Sequence, residues 1–237
     1  MSESANPSQH GGSQTGFIGF FDLLGYKDFI RNNQLKEVVQ KVNDILLECQ
    51  RSQKRIEGLE YLFDQDICEH VIFSDTILIY SNTTTEPSAT LFTSFCASLV
   101  NGLFWGGFPV RGALAAGEFF VVKPKQGSIS LAGAPIVEAY EVEECLDFAG
   151  CVVAPSAEPF LKQKCFPYDV PIKGFQKQRL FALNALSYSD DSREISRQVV
   201  LDQFGAHNKR IGVEVLPKIN NTIIFLEACK REIATQL

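Results

Sequence analysis

Gly16-Phe17-Ile18-Gly19-Phe20-Phe21-Asp22-Leu23-Leu24-Gly25-Tyr26-Lys27-Asp28-Phe29 reads as an apolar strand that delivers one carboxylate directly into a glycine turn. A second stretch, Val71-Ile72-Phe73-Ser74-Asp75-Thr76-Ile77-Leu78-Ile79-Tyr80, places another lone Asp between apolar runs rich in β-branched and aromatic residues, two strands meeting at or beside Ser74-Asp75. A carboxylate in such surroundings is costly unless something satisfies it. Taken singly, either Asp is most simply a turn residue or a helix N-cap. Two of them on adjacent strands make an oxygen-ligand site for hard divalent cations, and hence a site for handling phosphates.

Working outward, Leu35, Val38, Val39, Val42, Ile45, Leu46 and Cys49 form a helical stripe, and the charged run from Arg51 to Glu60 is its solvated end and a connection. A helical crossover therefore joins the two Asp strands. From Pro87 to Val110 no residue is charged, which covers the length of a spanning helix. Leu91, Phe92, Phe95, Leu99, Leu103 and Phe104 nevertheless recur at three- and four-residue steps, with Thr93, Ser94, Ala97, Ser98 and Asn101 on the other side. A small-residue face suits packing on a sheet, and Gly106-Gly107-Phe108-Pro109 ends the helix, so no membrane insertion is expected. A strand around Val110 to Ala115 completes the order β, α, β, β, α, β of a ferredoxin-like sheet.

Further along, Glu118 to Val122 reads as a strand and Lys123 to Ser128 as a polar loop. Gly150 to Ala154 and Arg179 to Leu183 are strand candidates. Beyond Asn184, the polar run Ser187 to Ser192 precedes Ile195, Val199, Val200 and Leu201, with Ser192 placed as an N-cap. A last helix is expected around Ile223, Ile224, Leu226, Ala228 and Cys229. The expected organisation is a disordered tail over 1–15, one domain over 16–184 and a helical C-terminal extension over 185–237. The tail is Ser, Gln, Asn and Gly with no apolar core of a signal peptide.

The chain has 237 residues, enough for a substantial core, and a formal net charge of -6, which argues against a nucleic-acid surface. Seven Cys are scattered without a CxxC pair or His at zinc spacing, so reduced cysteines and a cytoplasmic setting are expected. His10, His70 and His207 have no ligand spacing and no Ser or Cys partner.

Phe20-Phe21-Asp22-Leu23-Leu24-Gly25-Tyr26 and Phe73-Ser74-Asp75 resemble the two metal-binding segments of class III nucleotidyl cyclases. Phe108-Pro109-Val110-Arg111-Gly112-Ala113-Leu114-Ala115-Ala116-Gly117-Glu118 resembles that family's Arg-x-Gly-x-x-x-Gly strand and turn. Gly133-Ala134-Pro135-Ile136-Val137-Glu138-Ala139-Tyr140-Glu141-Val142-Glu143 resembles its late helix, and Pro171-Ile172-Lys173-Gly174 its closing Lys-Gly turn. The four main segments fall in the family's order and span most of the chain. Within the family the pattern is most similar to the bacterial pyrimidine cyclases of Pycsar anti-phage defence.

The resemblance implies an α+β, ferredoxin-like βαββαβ domain with an antiparallel sheet, working as a homodimer with the site completed across the interface. It implies that Asp22 and Asp75 bridge two ions, Mg²⁺ or Mn²⁺, with the carbonyl of Leu23 completing one shell. Leu24, Gly25, Tyr26 and Lys27 would receive phosphate at the start of a helix. Arg111, in an apolar strand, needs an anionic partner, which is either a triphosphate or an internal carboxylate. Tyr140 on the late helix reads as a packing residue. Where purine cyclases carry a Lys four residues before the second metal Asp, this chain has Val71. Where they read the base before the late helix it has Ser130, and in place of their ribose Asn and transition-state Arg it has Val137 and Glu141.

The expected substrate is therefore a pyrimidine nucleoside triphosphate, UTP favoured over CTP, with a separate cyclic-nucleotide-sensing effector implied by the family. The alternative is a nucleotide-binding regulatory module that kept the Asp pair without turnover. A haloacid-dehalogenase-like phosphatase with Asp22 as nucleophile would need a second Asp at position 24, which is Leu24.

Overall fold

The computed structural model describes residues 11–57, 68–122, 129–174, 176–187 and 195–236. Its spine is a two-stranded ribbon of β1 (Gly11–Leu23) and β4 (Val110–Val122), antiparallel over thirteen residues from Gly11 opposite Val122 to Leu23 opposite Val110. β3 (Thr76–Tyr80) pairs with the second half of β1, and β2 (Glu69–Phe73) forms a hairpin with β3 through Ser74 and Asp75. Two helices, α1 (Tyr26–Asn32) and α2 (Leu35–Glu57), make the first crossover, and α3 (Glu86–Trp105) makes the second. The strand order β2-β3-β1-β4 that results is the ferredoxin-like order expected from the sequence.

The chain then adds β5 (Ser130–Gly133) on the far end of β4 and α4 (Ala134–Cys145). It returns through β6 (Gly150–Val153), which runs parallel to β4. A short helix α5 (Glu158–Leu161) leads to the hairpin of β7 (Phe166–Ile172) and β8 (Gln176–Ala182), which extends the sheet to β2-β3-β1-β4-β6-β8-β7. The α+β assignment holds. The pairing of β4 with β6 is parallel in an otherwise antiparallel sheet, because α4 carries the chain back to the end where β4 began.

α3 is buried on nearly every side beyond its first turn, which fits the lack of charge after Glu86. Thr85 caps it by accepting from the Ser88 N–H, and the left-handed Gly107 at φ +80° turns the chain into β4. Its polar side chains are satisfied internally: Thr93 Oγ1 donates to the Ala89 carbonyl at 2.7 Å and Asn101 Nδ2 to the Ala185 carbonyl at 2.8 Å. Phe92 stacks on Phe17 of β1 with centroids 5.2 Å apart. Among the described residues, no helix is long and apolar enough to cross a membrane.

The C-terminal region is helical, as expected: α6 (Arg197–Gly205) and α7 (Leu216–Gln236). It is not a separate body, since Phe225, Leu226 and Cys229 enter the common core and Asn184 Nδ2 donates to the Cys229 carbonyl at 3.0 Å. All seven cysteines are free, and five are buried.

Several expectations change. Residues 11–15, read as tail, are the first five residues of β1, ordered by pairing with β4; residues 1–10 lie outside the described residues. The two strands read at 110–115 and 118–122 are the single strand β4. The cap of α6 is Ser196, which accepts from the Val199 N–H at 3.3 Å, whereas Ser192 lies outside the described residues, as does the polar loop 123–128. Strands β5 and β7 were not expected.

Candidate active site

Three chain segments are tied together at one end of the spine. The Leu23 N–H donates to the Asp75 carbonyl at 2.8 Å, and the Leu24 N–H to the Pro109 carbonyl at 2.9 Å. Asp22 stands opposite Thr76 on one neighbouring strand and Arg111 on the other. The β2–β3 turn is tight enough to hold Ser74 at φ +57°, and Asp75 follows it. Asp22, Asp75 and Arg111 are thereby gathered where β1, β3 and β4 meet.

Arg111 is the charge centre of this cluster. Its Nη2 lies 3.2 Å from Asp22 Oδ2, its Nε meets Glu143 Oε1 of α4 in a second ion pair, and its Nη1 reaches the Leu146 carbonyl at 3.5 Å. The internal-carboxylate reading of Arg111 is thus realised in the protein without ligand. The Nε–Oε1 approach is a charge contact, not an aligned hydrogen bond. Burial raises the Asp22 carboxyl, Asp75 raises it further, and Arg111 opposes both. Burial raises Glu143 to about 7 against the same pull from Arg111.

Gly25 precedes α1 at φ +77°, and its carbonyl accepts from the Phe29 N–H at 3.0 Å. A Cβ there would stand 2.9 Å from Lys209 Cδ, so both the backbone and the space require glycine. Lys209 is buried, donates to the Gly107 carbonyl at 2.6 Å and lies over the Phe108 ring at 5.4 Å. Burial lowers its amine to about 7. The neighbouring His207 stacks on Phe108 at 4.6 Å, and Asn33 Nδ2 donates to the His207 carbonyl at 2.7 Å. The C-terminal region therefore buttresses the glycine turn from behind.

Of the residues expected in the site, Asp22, Leu23, Leu24, Gly25, Tyr26, Asp75 and Arg111 are brought together; Tyr26 is close enough to Asp75 for that charge to raise its phenol in addition to burial. Lys27 is exposed on α1. Ser130 does not join them. It pairs with Val122, eleven residues along β4 from Arg111, on the order of 30 Å at the rise of a strand. Tyr140 packs edge-on against Phe20 at 5.5 Å but remains 45% exposed, and Val137 is 56% exposed.

Glu143 and Lys173 entered the sequence reading only as members of the late-helix segment and the closing Lys-Gly turn, without a site role, and Lys218 did not enter it. Glu143 is buried, one helical turn after the fully buried Ala139, and a carboxylate on the apolar side of a helix was the available signal. Lys173 had the closing Lys-Gly turn as its signal; Lys218 had none, because only tertiary packing brings it near Arg111 and Asp22.

Among the described residues no three His, Cys, Asp or Glu side chains are grouped to hold a metal. The cluster instead offers the pair Asp22 and Asp75, whose like charges oppose each other. An oxygen set of this kind fits Mg²⁺ or Mn²⁺, which take one or two carboxylates and leave the remaining positions to water and substrate phosphates.

No protein-family model and no curated protein matches this chain. Solved structures do match its fold. The dimeric guanylyl cyclase domain of the RhoGC fusion protein from the aquatic fungus Blastocladiella emersonii superposes with a TM-score of 0.58 at 15% identity, over 74% of this chain and 98% of that one. The guanylate cyclase domain of RhGC from Catenaria anguillulae, solved with GTP, gives 0.57 at 15% identity over 73% and 97%. The adenylyl cyclase CyaB from P. aeruginosa gives 0.56 at 11% identity over 78% and 98%. These neighbours are class III nucleotidyl cyclase domains, and at such identities the likeness is one of fold.

Proposed function

We propose that this protein is a nucleotidyl cyclase that converts a pyrimidine nucleoside triphosphate, UTP or CTP, into its 3′,5′-cyclic monophosphate and pyrophosphate. The observation that carries the reading is the convergence of Asp22 and Asp75 beside the left-handed Gly25 turn at the start of α1, on a fold shared with nucleotidyl cyclase domains.

In this reading Asp22 and Asp75, with the Leu23 carbonyl, would hold two divalent cations. Bound there, Mg²⁺ or Mn²⁺ lowers the pKa of the ribose 3′ hydroxyl and neutralises charge on the leaving phosphates. The 3′ oxygen forms a bond to the α-phosphorus, the bond from that phosphorus to the bridging oxygen breaks, pyrophosphate leaves and the hydroxyl proton passes to solvent. Gly25, Tyr26 and Lys27 would receive the phosphates where backbone N–H groups at the start of α1 lack helical partners, while Leu24, whose N–H is held by the Pro109 carbonyl, would fix the turn. Arg111, which meets Asp22 and Glu143 in the protein without ligand, would turn its Nη2 from Asp22 to a phosphate oxygen.

Val71 and Ser130 lack the polar groups with which purine cyclases read their base, which favours a pyrimidine. The resemblance further supports a homodimer and a second messenger read by a separate effector in anti-phage defence, and the scattered cysteines without a framework support a cytoplasmic setting. A second reading, a nucleotide-binding module without turnover, is favoured by Val137 and Glu141 standing where purine cyclases have Asn and Arg. Incubation of the purified protein with each of the four nucleoside triphosphates and Mn²⁺, followed by mass analysis, decides between them: a cyclic pyrimidine nucleotide is expected, and the absence of any cyclic product overturns the cyclase.

A further inference from the structure

We propose that Lys218, in the first turn of α7, binds the polyphosphate tail of the substrate, which makes the C-terminal helices part of the active site. The proposal rests on the cyclase reading for its substrate class.

The start of α7 is fixed against the segment that leads into β6. Asn221 Nδ2 donates to the Asp147 carbonyl at 2.9 Å and to its carboxylate at 3.2 Å, and Thr222 Oγ1 accepts from the Ala149 N–H at 2.8 Å. The next residue, Gly150, is the register partner of Arg111. Lys218 lies one turn before Thr222, whose hydroxyl donates to the Lys218 carbonyl at 2.7 Å, so both share the face of α7 turned to this segment.

The β7–β8 turn arrives at the same place. The Asp147 N–H donates to the Pro171 carbonyl at 3.0 Å and the Lys173 N–H to the Cys145 carbonyl at 2.8 Å. Arg111, Lys173 and Lys218 thus form a cationic flank beside Asp22.

The charges on this flank are unequally matched. Arg111 has Asp22 and Glu143, whereas among the described residues no carboxylate lies within ion-pair distance of Lys218 or Lys173. Lys218 is half-buried, and burial together with the charges of Arg111 and Lys173 lowers its pKa, with Asp147 and Asp22 pulling the other way. A half-buried ammonium held beside two other cations is unfavourable by itself and becomes favourable when a polyanion arrives. A triphosphate held by Asp22-bound cations would present that polyanion here, and the charge that develops on departing pyrophosphate would be stabilised by the same amine. This supplies, from outside the cyclase core, a cation of the kind missing at Glu141.

The test titrates the purified full chain with tripolyphosphate in the presence of Mn²⁺, alongside cyclisation of UTP and CTP. Lys218→Met keeps the aliphatic stem and is expected to weaken tripolyphosphate binding about 10-fold or more, the usual loss for a charge-assisted contact. It should also raise KM without lowering the melting temperature, with Lys218→Arg recovering most of the affinity. In the wild-type protein, saturating tripolyphosphate should protect Lys218 from an amine-acylating reagent, read by peptide mass, which needs no variant to fold. Unchanged acylation, or equal affinity in wild type and Lys218→Met, overturns the proposal even where cyclic nucleotide is made. Lys218-dependent binding without any cyclic product upholds the anion site and removes the cyclase.

Discussion

Arg111 holds two carboxylates that burial pushes towards their neutral forms, so its removal should be felt most where those carboxylates are charged. Arg111→Met is expected to cost about 3–5 kcal/mol at pH 7, the usual range for breaking a buried ion pair. The sign with pH follows from linkage. Without Arg111, the folded pKa of Glu143 rises further above about 7, so the part of the penalty that comes from Glu143 is small near pH 5, where both folded proteins keep it protonated, and grows as pH rises through 7 towards 9. Denaturant melts of both proteins at pH 5 and pH 9 measure this, and a larger loss at pH 5 would contradict the arrangement. Asp75→Ala removes an anion that raises Asp22 and fills no part of the core, so it should leave stability at or slightly above wild type. Asp22→Ala and Asp75→Ala should each abolish cyclisation, and near-wild-type turnover in either would dismiss the two-cation site. Both aspartates, Gly25 and Arg111 were legible because each breaks the local pattern: a carboxylate or guanidinium inside an apolar strand, a glycine at a strand end. Glu143 was marked only by its place on the apolar side of α4, one turn after Ala139, and Lys218 keeps the local pattern of an amphipathic helix, so nothing local marks it.

At the scale of elements, the glycine turn before α1 is set between the chain it belongs to and the 207–209 segment that packs behind it. Gly25→Ala should destabilise the protein by about 1–2 kcal/mol from the left-handed backbone alone, with the clash against Lys209 adding to it. Lys209 gives a second, pH-dependent signature. Its folded pKa of about 7 lies below the unfolded value of 10.5, so between those values the unfolded chain holds more protons. Stability should therefore rise with pH across that window, by up to about 1.4 kcal/mol per pH unit from this group, and Lys209→Met should flatten the slope. Unfolding curves at pH 7 and pH 9 for the two proteins check it. The strands and helices of the ferredoxin-like half were legible because each has an apolar period of two or of three to four residues. β7 was not: Pro167 and Pro171 read as breakers, yet β7 is the edge strand of the sheet, where a missing N–H leaves no ladder bond unmade. The opening of β1, Gly-Gly-Ser-Gln-Thr, has no strand pattern at all and is fixed by its partner on β4.

For the molecule as a whole, the separation of Ser130 from Asp22 decides how a complete site is built. One nucleotide cannot reach both along a single β4, so a base contact by Ser130 in a site formed by Asp22 requires a second copy of the chain. The exposed Val137 and Tyr140 on α4 are apolar surface available to it. A mixture of Asp22→Ala with a late-helix variant, each inactive alone and both still dimeric, should recover activity; no recovery would count against a shared site. The choice of base follows from what Val71 and Ser130 each lack at their separate places in the sheet, Val71 level with Phe20 and Ala113 and Ser130 opposite Val122. Val71 sits on β2 opposite Leu78 and supplies no polar group, and Ser130 supplies only a hydroxyl. A purine edge held at either residue would leave donors and acceptors unpaired at about 1–3 kcal/mol each, roughly tenfold or greater discrimination for every lost contact. A pyrimidine presents a smaller edge and loses less. Competition among equal concentrations of the four nucleoside triphosphates should accordingly yield a cyclic pyrimidine nucleotide as the main product. Cyclic AMP or cyclic GMP in excess would place the purine contacts on groups other than Val71 and Ser130, while leaving Asp22, Asp75 and the turn at Gly25 in their roles.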